Sequence, residues 1–182
     1  MGISKVAVLL SGGIDSTLVV DLVLQSHRHV TALFIDYGQQ SVGAERKASQ
    51  EIATHFGISW SSVTIGGIST AAGEIPGRND LLIAAASVAY PRHSIAIGTH
   101  AGTGYSDCSP EHGAAWQGLL DVQYAGVVQL LAPLASLSKA EVVALALDRR
   151  IPLGHTYSCE AASVPCEACR SCADRRSLLD AA

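Results

Sequence analysis

Neither a lysine/arginine block nor a long apolar run occurs in this 182-residue sequence, and each absence excludes a class of function. Its 12 lysines and arginines are outnumbered by 16 acidic residues, for a net charge of −4. That balance argues against a nucleic-acid-binding surface as the main business, although a local basic groove stays open. No uninterrupted apolar stretch of about twenty residues is present, so no membrane span is expected. The chain enters its first strand at once, without a charged n-region and cleavage site, and is expected to be cytoplasmic. Two common nucleotide signatures are also missing. There is no Gly-x-x-x-x-Gly-Lys-Ser/Thr loop and no Gly-x-Gly-x-x-Gly fingerprint at the first strand–helix turn. No internal repeat or low-complexity linker interrupts the pattern.

What is present is a globular composition. Hydrophobic residues make up 48% of the chain, enough for one domain with a real core, or one domain with a small appendage. Residues 6–10 form a short β-branched run that reads as a buried strand, and the apolar positions Leu18, Val19, Leu22 and Val23 read as one face of a helix. Between them stand Ser11, Gly12, Gly13, Ile14, Asp15, Ser16 and Thr17. The two glycines allow a sharp turn, and the turn presents free N–H groups at a helix N-terminus, where an anion is favoured. A purely structural reading has Asp15 or Ser16 simply capping that helix.

Further strands are expected over residues 29–36, 59–65, 94–99 and 127–131, with helices over about 42–56, 81–90 and 139–149. Strands alternating with helices imply right-handed crossovers, a mostly parallel open sheet and helices on both faces. Loops at the carboxyl ends of such strands gather at one edge, where ligands bind. Asp36 and Gln39, after the second strand, can therefore reach a nucleotide held by the first loop. Pro76-Gly77-Arg78-Asn79 precedes the third helix; Asn79 or Asp80 can cap it, and Arg78 can pair with a phosphate or carboxylate. The stretch from His100 to His112 is the most polar in the chain and again follows a strand. Ser109 and Pro110 read as the cap and first residue of the next helix. Ser138-Lys139-Ala140-Glu141 is a capping box; Lys139 can reach phosphate but reads on local grounds as a solvated lysine.

Four of the five cysteines cluster near the C-terminus as Cys159, Cys166, Cys169 and Cys172. Overlapping Cys-x-x-Cys units have the spacing of a closed, structural zinc site; a redox pair and an iron–sulfur cluster are the competing readings.

Ser-Gly-Gly-Ile-Asp-Ser resembles the PP-loop of ATP pyrophosphatase-type enzymes. The resemblance implies that Leu10, Ser11, Gly12, Gly13, Ile14, Asp15, Ser16 and Thr17 grip the β- and γ-phosphates of ATP while the α-phosphate is attacked. Further motifs narrow it: Phe34-Ile35-Asp36-Tyr37-Gly38-Gln39, Pro76-Gly77-Arg78-Asn79, Gly98-Thr99-His100-Ala101-Gly102, Tyr105-Ser106-Asp107-Cys108-Ser109-Pro110-Glu111, and the cysteine tail. With these the chain resembles the 7-cyano-7-deazaguanine synthase (QueC, or ExsB) family over nearly its whole length. The resemblance implies a PP-loop domain over residues 1–155 with a zinc-binding element over 156–182, and a homodimer. It also implies an ATP-dependent ligase that adenylates 7-carboxy-7-deazaguanine and carries it with ammonia, through the amide, to the nitrile. Magnesium would accompany ATP, with Asp15 a direct or water-mediated contact. Asp15, Ser16, Arg78 and Lys139 are the implied catalytic set, and Arg78, Asn79, Tyr105, Asp107 and Glu111 the implied substrate contacts. No nucleic acid or membrane partner is implied.

The chain departs from the family pattern on the acceptor side. The segment before Pro76 is short, and the stretch before Tyr105 is trimmed. Ser106, Ser109 and His112 replace the family's proline, arginine and phenylalanine, and Gln40-Ser41 replaces Arg-His. A relative that stops at the amide, or couples the activated acid to another amine, including a protein amine, is the alternative.

Overall fold

The computed structural model describes residues 5–70 and 75–180. Five strands form one sheet: β1 (Lys5–Leu9), β2 (His29–Asp36), β3 (Ser59–Thr64), β4 (Ser94–Ala96) and β5 (Leu130–Leu131). They run in the order β3-β2-β1-β4-β5, and every pairing is parallel. The order reverses at β1, so the crevice between the β1 and β4 ends is where such a sheet opens to a ligand. The helices are α1 (Ile14–Leu24), α2 (Val42–His55), α3 (Arg78–Ala89), α4 (Pro110–Tyr124), α5 (Lys139–Asp148) and α6 (Arg170–Asp180). No described helix is long and apolar enough to cross a membrane.

Alternation along the strands feeds two cores. Val6, Val8, Val30 and Ala32 face Leu18 and Val19 of α1, Ile52 of α2 and Val142 of α5. Leu9, Leu33, Ile35, Ile95 and Ile97 face the other way, onto Ile83 of α3 and Leu120 of α4. The central strand is closed on both faces, as a parallel sheet requires, and reads as an unbroken apolar run.

Two helices start earlier than their apolar periodicity suggests, because backbone geometry sets their ends. Gly13 is the N-cap of α1, without a side-chain cap. The hydroxyls of Ser16 and Thr17 instead donate back to the Gly13 carbonyl, at 3.0 and 2.7 Å. Neither Asp15 nor Ser16 caps, contrary to the structural reading of the loop. Likewise α3 begins at Arg78 behind Gly77, which takes a left-handed conformation at φ 71°, so Asn79 and Asp80 lie inside the helix and do not cap it. The Ser109 cap with Pro110 and the Ser138–Glu141 capping box form as the sequence indicates. β4 ends at Ala96, before the expected residue 99, where the chain passes over the first loop. A Cβ on Gly98 would lie 3.3 Å from the Asp15 carbonyl carbon and the Ser16 nitrogen.

Candidate functional site

A cavity of about 310 Å³ opens at the carboxyl edge of the sheet, over the turn between β1 and α1. Ser11, Gly13, Ile14, Asp15 and Ser16 form its floor. The turn can lie this low because Gly12 has no side chain. At φ +87°, a Cβ there would meet Ala48 Cβ and the Glu45 carbonyl oxygen at 2.8 Å each. An α-helix start without a side-chain cap, aimed into a polar cavity, leaves N–H groups and a partial positive charge for an anion.

Asp15, in the first turn of α1, is not solvated alone. Lys139 Nζ, at the start of α5, donates to both its oxygens at 2.8 and 3.0 Å, and His100 Nε2 stands 3.8 Å away. Lys139 thus pairs with Asp15 on the cavity wall and is not a lone solvated lysine. The cation neutralises the aspartate where phosphate charge would gather, and both groups line the cavity. Arg78 enters from α3 and lies against Tyr37. Burial raises the Tyr37 phenol above its ordinary range, and the nearby guanidinium partly offsets this.

The other candidates divide. Gln39, Asn79 and Tyr105 line the cavity with Arg78. Gln39 is buried and donates to the Ile35 carbonyl and to Glu45, at 3.2 and 2.9 Å. Asp36 does not line it: its carboxylate pairs with Arg46 at 2.7 Å and accepts from Gly38 N–H. Asp107 also lies outside. Its Oδ2 accepts the backbone N–H of Asn79 at 3.1 Å, capping α3 from a distant segment, while Asn79 Nδ2 donates to the Asp107 carbonyl. Glu111 is exposed at the start of α4. Asp107, Cys108 and His112 line a second cavity of about 270 Å³, which shares Ile97, Thr99 and Cys108 with the first. His112 Nε2 is 2.8 Å from Asp80 Oδ1 but off the line of a hydrogen bond, while Trp116 Nε1 donates to that same oxygen at 2.6 Å.

The tail forms the wall that sequence reasoning missed. Tyr157 N–H donates to the Gly12 carbonyl at 2.8 Å, tying the segment before Cys159 to the anion loop. Ser158, Glu160, Ser171, Asp174 and Arg175 then line the cavity. Arg175 is fixed by Thr156 Oγ1 and, at 2.9 Å, by the Leu153 carbonyl. These residues flank the cysteines in sequence, but nothing in the spacing says which surface the tail covers.

The Sγ atoms of Cys159, Cys166, Cys169 and Cys172 all lie within 4.8 Å of one another. Four soft donors this close can hold a metal ion. Burial opposes ionisation of Cys159, but the N–H groups of Cys166 and Ala161 outweigh it and bring that thiol down to about 6. Burial and sharing of hydrogen with Cys169 push Cys172 up to about 12. A metal ion at the cluster would favour the thiolate form of all four.

Comparison with known proteins agrees with this geometry. The family model described as "Queuosine biosynthesis protein QueC" matches in two stretches, residues 5–74 and 69–182. The stretches meet between β3 and α3, where the sequence is short. A 7-cyano-7-deazaguanine synthase from Prochlorococcus marinus (strain AS9601) is 32% identical over 210 residues, covering 97% of this chain and 93% of that protein. One from Methanospirillum hungatei JF-1 is 32% identical over 201 residues, covering 92% and 91%. Both alignments are longer than the chain, so these relatives carry insertions that it lacks. Among solved structures, the U34-tRNA thiolase NcsA from Methanococcus maripaludis, with its [4Fe-4S] cluster, superposes at TM-score 0.60 and 18% identity, over 100% of this chain and 66% of that one. NMN synthetase from Francisella tularensis gives 0.55 at 16% identity, over 84% and 64%. At such identities these two establish the fold, a PP-loop α/β sheet. The family match, by contrast, runs from β1 through the cysteine helix, and the chain belongs to the QueC family of ATP-dependent enzymes.

Proposed function

We propose that this chain is a ligase that uses ATP to adenylate the carboxylate of 7-carboxy-7-deazaguanine. Ammonia then displaces AMP to give the amide, and a second activation and dehydration gives 7-cyano-7-deazaguanine. The observation that carries this reading is the uncapped start of α1, open to a cavity that also receives Arg78 and Lys139. A carboxylate is a poor electrophile until one oxygen becomes a leaving group, and a walled cavity keeps water from the activated acid. Ser11, Gly13 and the first turn of α1 hold the terminal phosphates in this reading, with Ser16 beside Ser11 Oγ at 3.2 Å. Arg78 orients the acid or the α-phosphate through its planar fork. The name of the relatives, 7-cyano-7-deazaguanine synthase, supports a deazaguanine acid as the substrate class.

Carboxylate oxygens at the phosphate end suit magnesium, and Asp15 is the residue to hold it, directly or through water. Magnesium there would offset triphosphate charge. Lys139 keeps Asp15 neutralised and oriented, then serves the phosphates itself. Lys139→Met is expected to lower AMP release about a hundredfold, the scale of losing one charged donor at a reacting phosphate. The melting temperature should hold, since the lysine side chain is 32% exposed. Unchanged steady-state AMP release would remove Lys139 from the site.

For the cysteine cluster the reading is one structural zinc. Thiolates at about 2.3 Å from zinc lie roughly 3.8 Å apart, so the observed cluster needs only a slight closure. A cubane holds its cysteine sulfurs further apart than a single ion does. Four ligands leave no open position, so the zinc braces residues 156–182 against the PP-loop domain of residues 1–155 and does no chemistry. A homodimer completes the reading.

Incubating the protein with magnesium–ATP, ammonia and 7-carboxy-7-deazaguanine should yield the nitrile by mass spectrometry. Amide alone, or turnover only with another amine, would favour the alternative ligase. The trimmed connection between β3 and α3 is the feature that favours this alternative.

A further inference from the structure

A guanine-like base presents two adjacent donors on one edge, the ring N–H and the exocyclic amine. The complementary group is a carboxylate, which offers two acceptor oxygens and no donor. The family resemblance implies Asp107 and Glu111 as acidic substrate contacts, but Asp107 caps α3 and Glu111 lies outside the cavity. The cavity is lined by four other carboxylates, those of Asp15, Glu45, Glu160 and Asp174.

Three of these already have partners. Both oxygens of Asp15 are held by Lys139. Both oxygens of Glu45 are taken, one by Gln39 and one by Ser41. Glu160 accepts from Ser171. The Asp174 carboxylate makes no hydrogen bond or ion pair among the described residues, although the residue is half-buried in the cavity wall. A carboxylate on the cavity wall whose oxygens have no protein partner offers an acceptor pair to a ligand. It is also rigidly placed: α6 starts directly after Cys169, carries Cys172, and is tied at Arg175 to Thr156 and Leu153.

We propose that Asp174 reads the donor edge of the substrate base and so sets specificity for a 2-amino-4-oxo deazapurine acid. The inference rests on the deazaguanine reading above. It gives the cysteine element a direct part in substrate choice: the cluster holds α6 so that the acceptor pair faces the ligand. A site built to satisfy donors rejects an analogue lacking them, because its own acceptor is then buried without a partner.

Calorimetric binding in the presence of magnesium and a non-hydrolysable ATP analogue tests this. Two ligands are compared, 7-carboxy-7-deazaguanine and the same acid without its 2-amino group. Wild-type protein should bind the full acid at least about tenfold more tightly. In Asp174→Asn that preference should fall to about twofold or less, with affinity for the nucleotide analogue unchanged. A variant that keeps the full preference, or that loses nucleotide affinity instead, overturns the assignment. So does a wild-type protein indifferent to the amino group. Wild-type protein that binds the nucleotide but neither acid overturns the deazaguanine reading, and this inference falls with it.

Discussion

Gly12→Ala is expected to lower ATP-dependent turnover at least a hundredfold and to cost about 2–4 kcal/mol of stability. The change adds one methyl group, but there is no room for it. The Cβ would sit 2.8 Å from both Ala48 Cβ and the Glu45 carbonyl oxygen, and φ at this residue is +87°. Two of the three crowding atoms are backbone of α2, which cannot rotate away, so the loop itself must move. Its movement lifts the start of α1 from the cavity floor and breaks the bond from Tyr157 N–H to the Gly12 carbonyl. For a chain this size, the melting temperature should fall by about 5–12 °C. Gly57 gives the control, since it also has positive φ, +64°, but nothing within 4 Å of an added Cβ. Gly57→Ala should cost only about 1 kcal/mol and leave turnover intact. Thermal melts and AMP release on the two variants check the contrast; equal behaviour would refute the close-approach argument.

Removing the metal is expected to have the second large effect. Purified protein should carry about one zinc per chain. Cys159→Ser and Cys172→Ser, at the two buried ligands, should lose it. Structural zinc contributes on the order of 10 kcal/mol to the folding of small elements. Without it, residues beyond about 155 should become sensitive to proteolysis while the five-stranded sheet persists. Because Tyr157, Ser158 and Arg175 belong to the cavity wall, nucleotide affinity should drop along with the metal, by tenfold or more. Metal analysis, limited proteolysis and nucleotide titration on the same samples make the test. Iron in place of zinc, or metal-free protein with unchanged nucleotide affinity, would refute this view of the tail.

The sheet and the turn from β1 into α1 were legible in the sequence because both are local. Val6 to Leu10 and His29 to Asp36 declare buried strands by composition, and Gly12-Gly13 declares the turn between β1 and α1. The four thiols declare themselves by spacing. What stayed illegible is long-range. Asp107 caps a helix 28 residues away, and no local pattern distinguishes that role from substrate binding. Lys139 meets Asp15 across 124 residues, so a lysine in an ordinary capping box looked solvated. Asp36 turned to Arg46 on the neighbouring helix, an ordinary charge pairing that periodicity does not specify. The tail's own cavity residues were hidden because the sequence shows the cysteines meeting one another but not the surface they fold against.

Isotope transfer tests the activation step directly. With 7-carboxy-7-deazaguanine carrying ¹⁸O in its carboxylate, magnesium–ATP and ammonia, the AMP released should carry one ¹⁸O from the substrate. That outcome requires the acid oxygen to have attacked the α-phosphate of an ATP whose terminal phosphates are held by Ser11 to Ser16. Unlabelled AMP, or ADP and phosphate as the nucleotide products, would contradict adenylation at this loop.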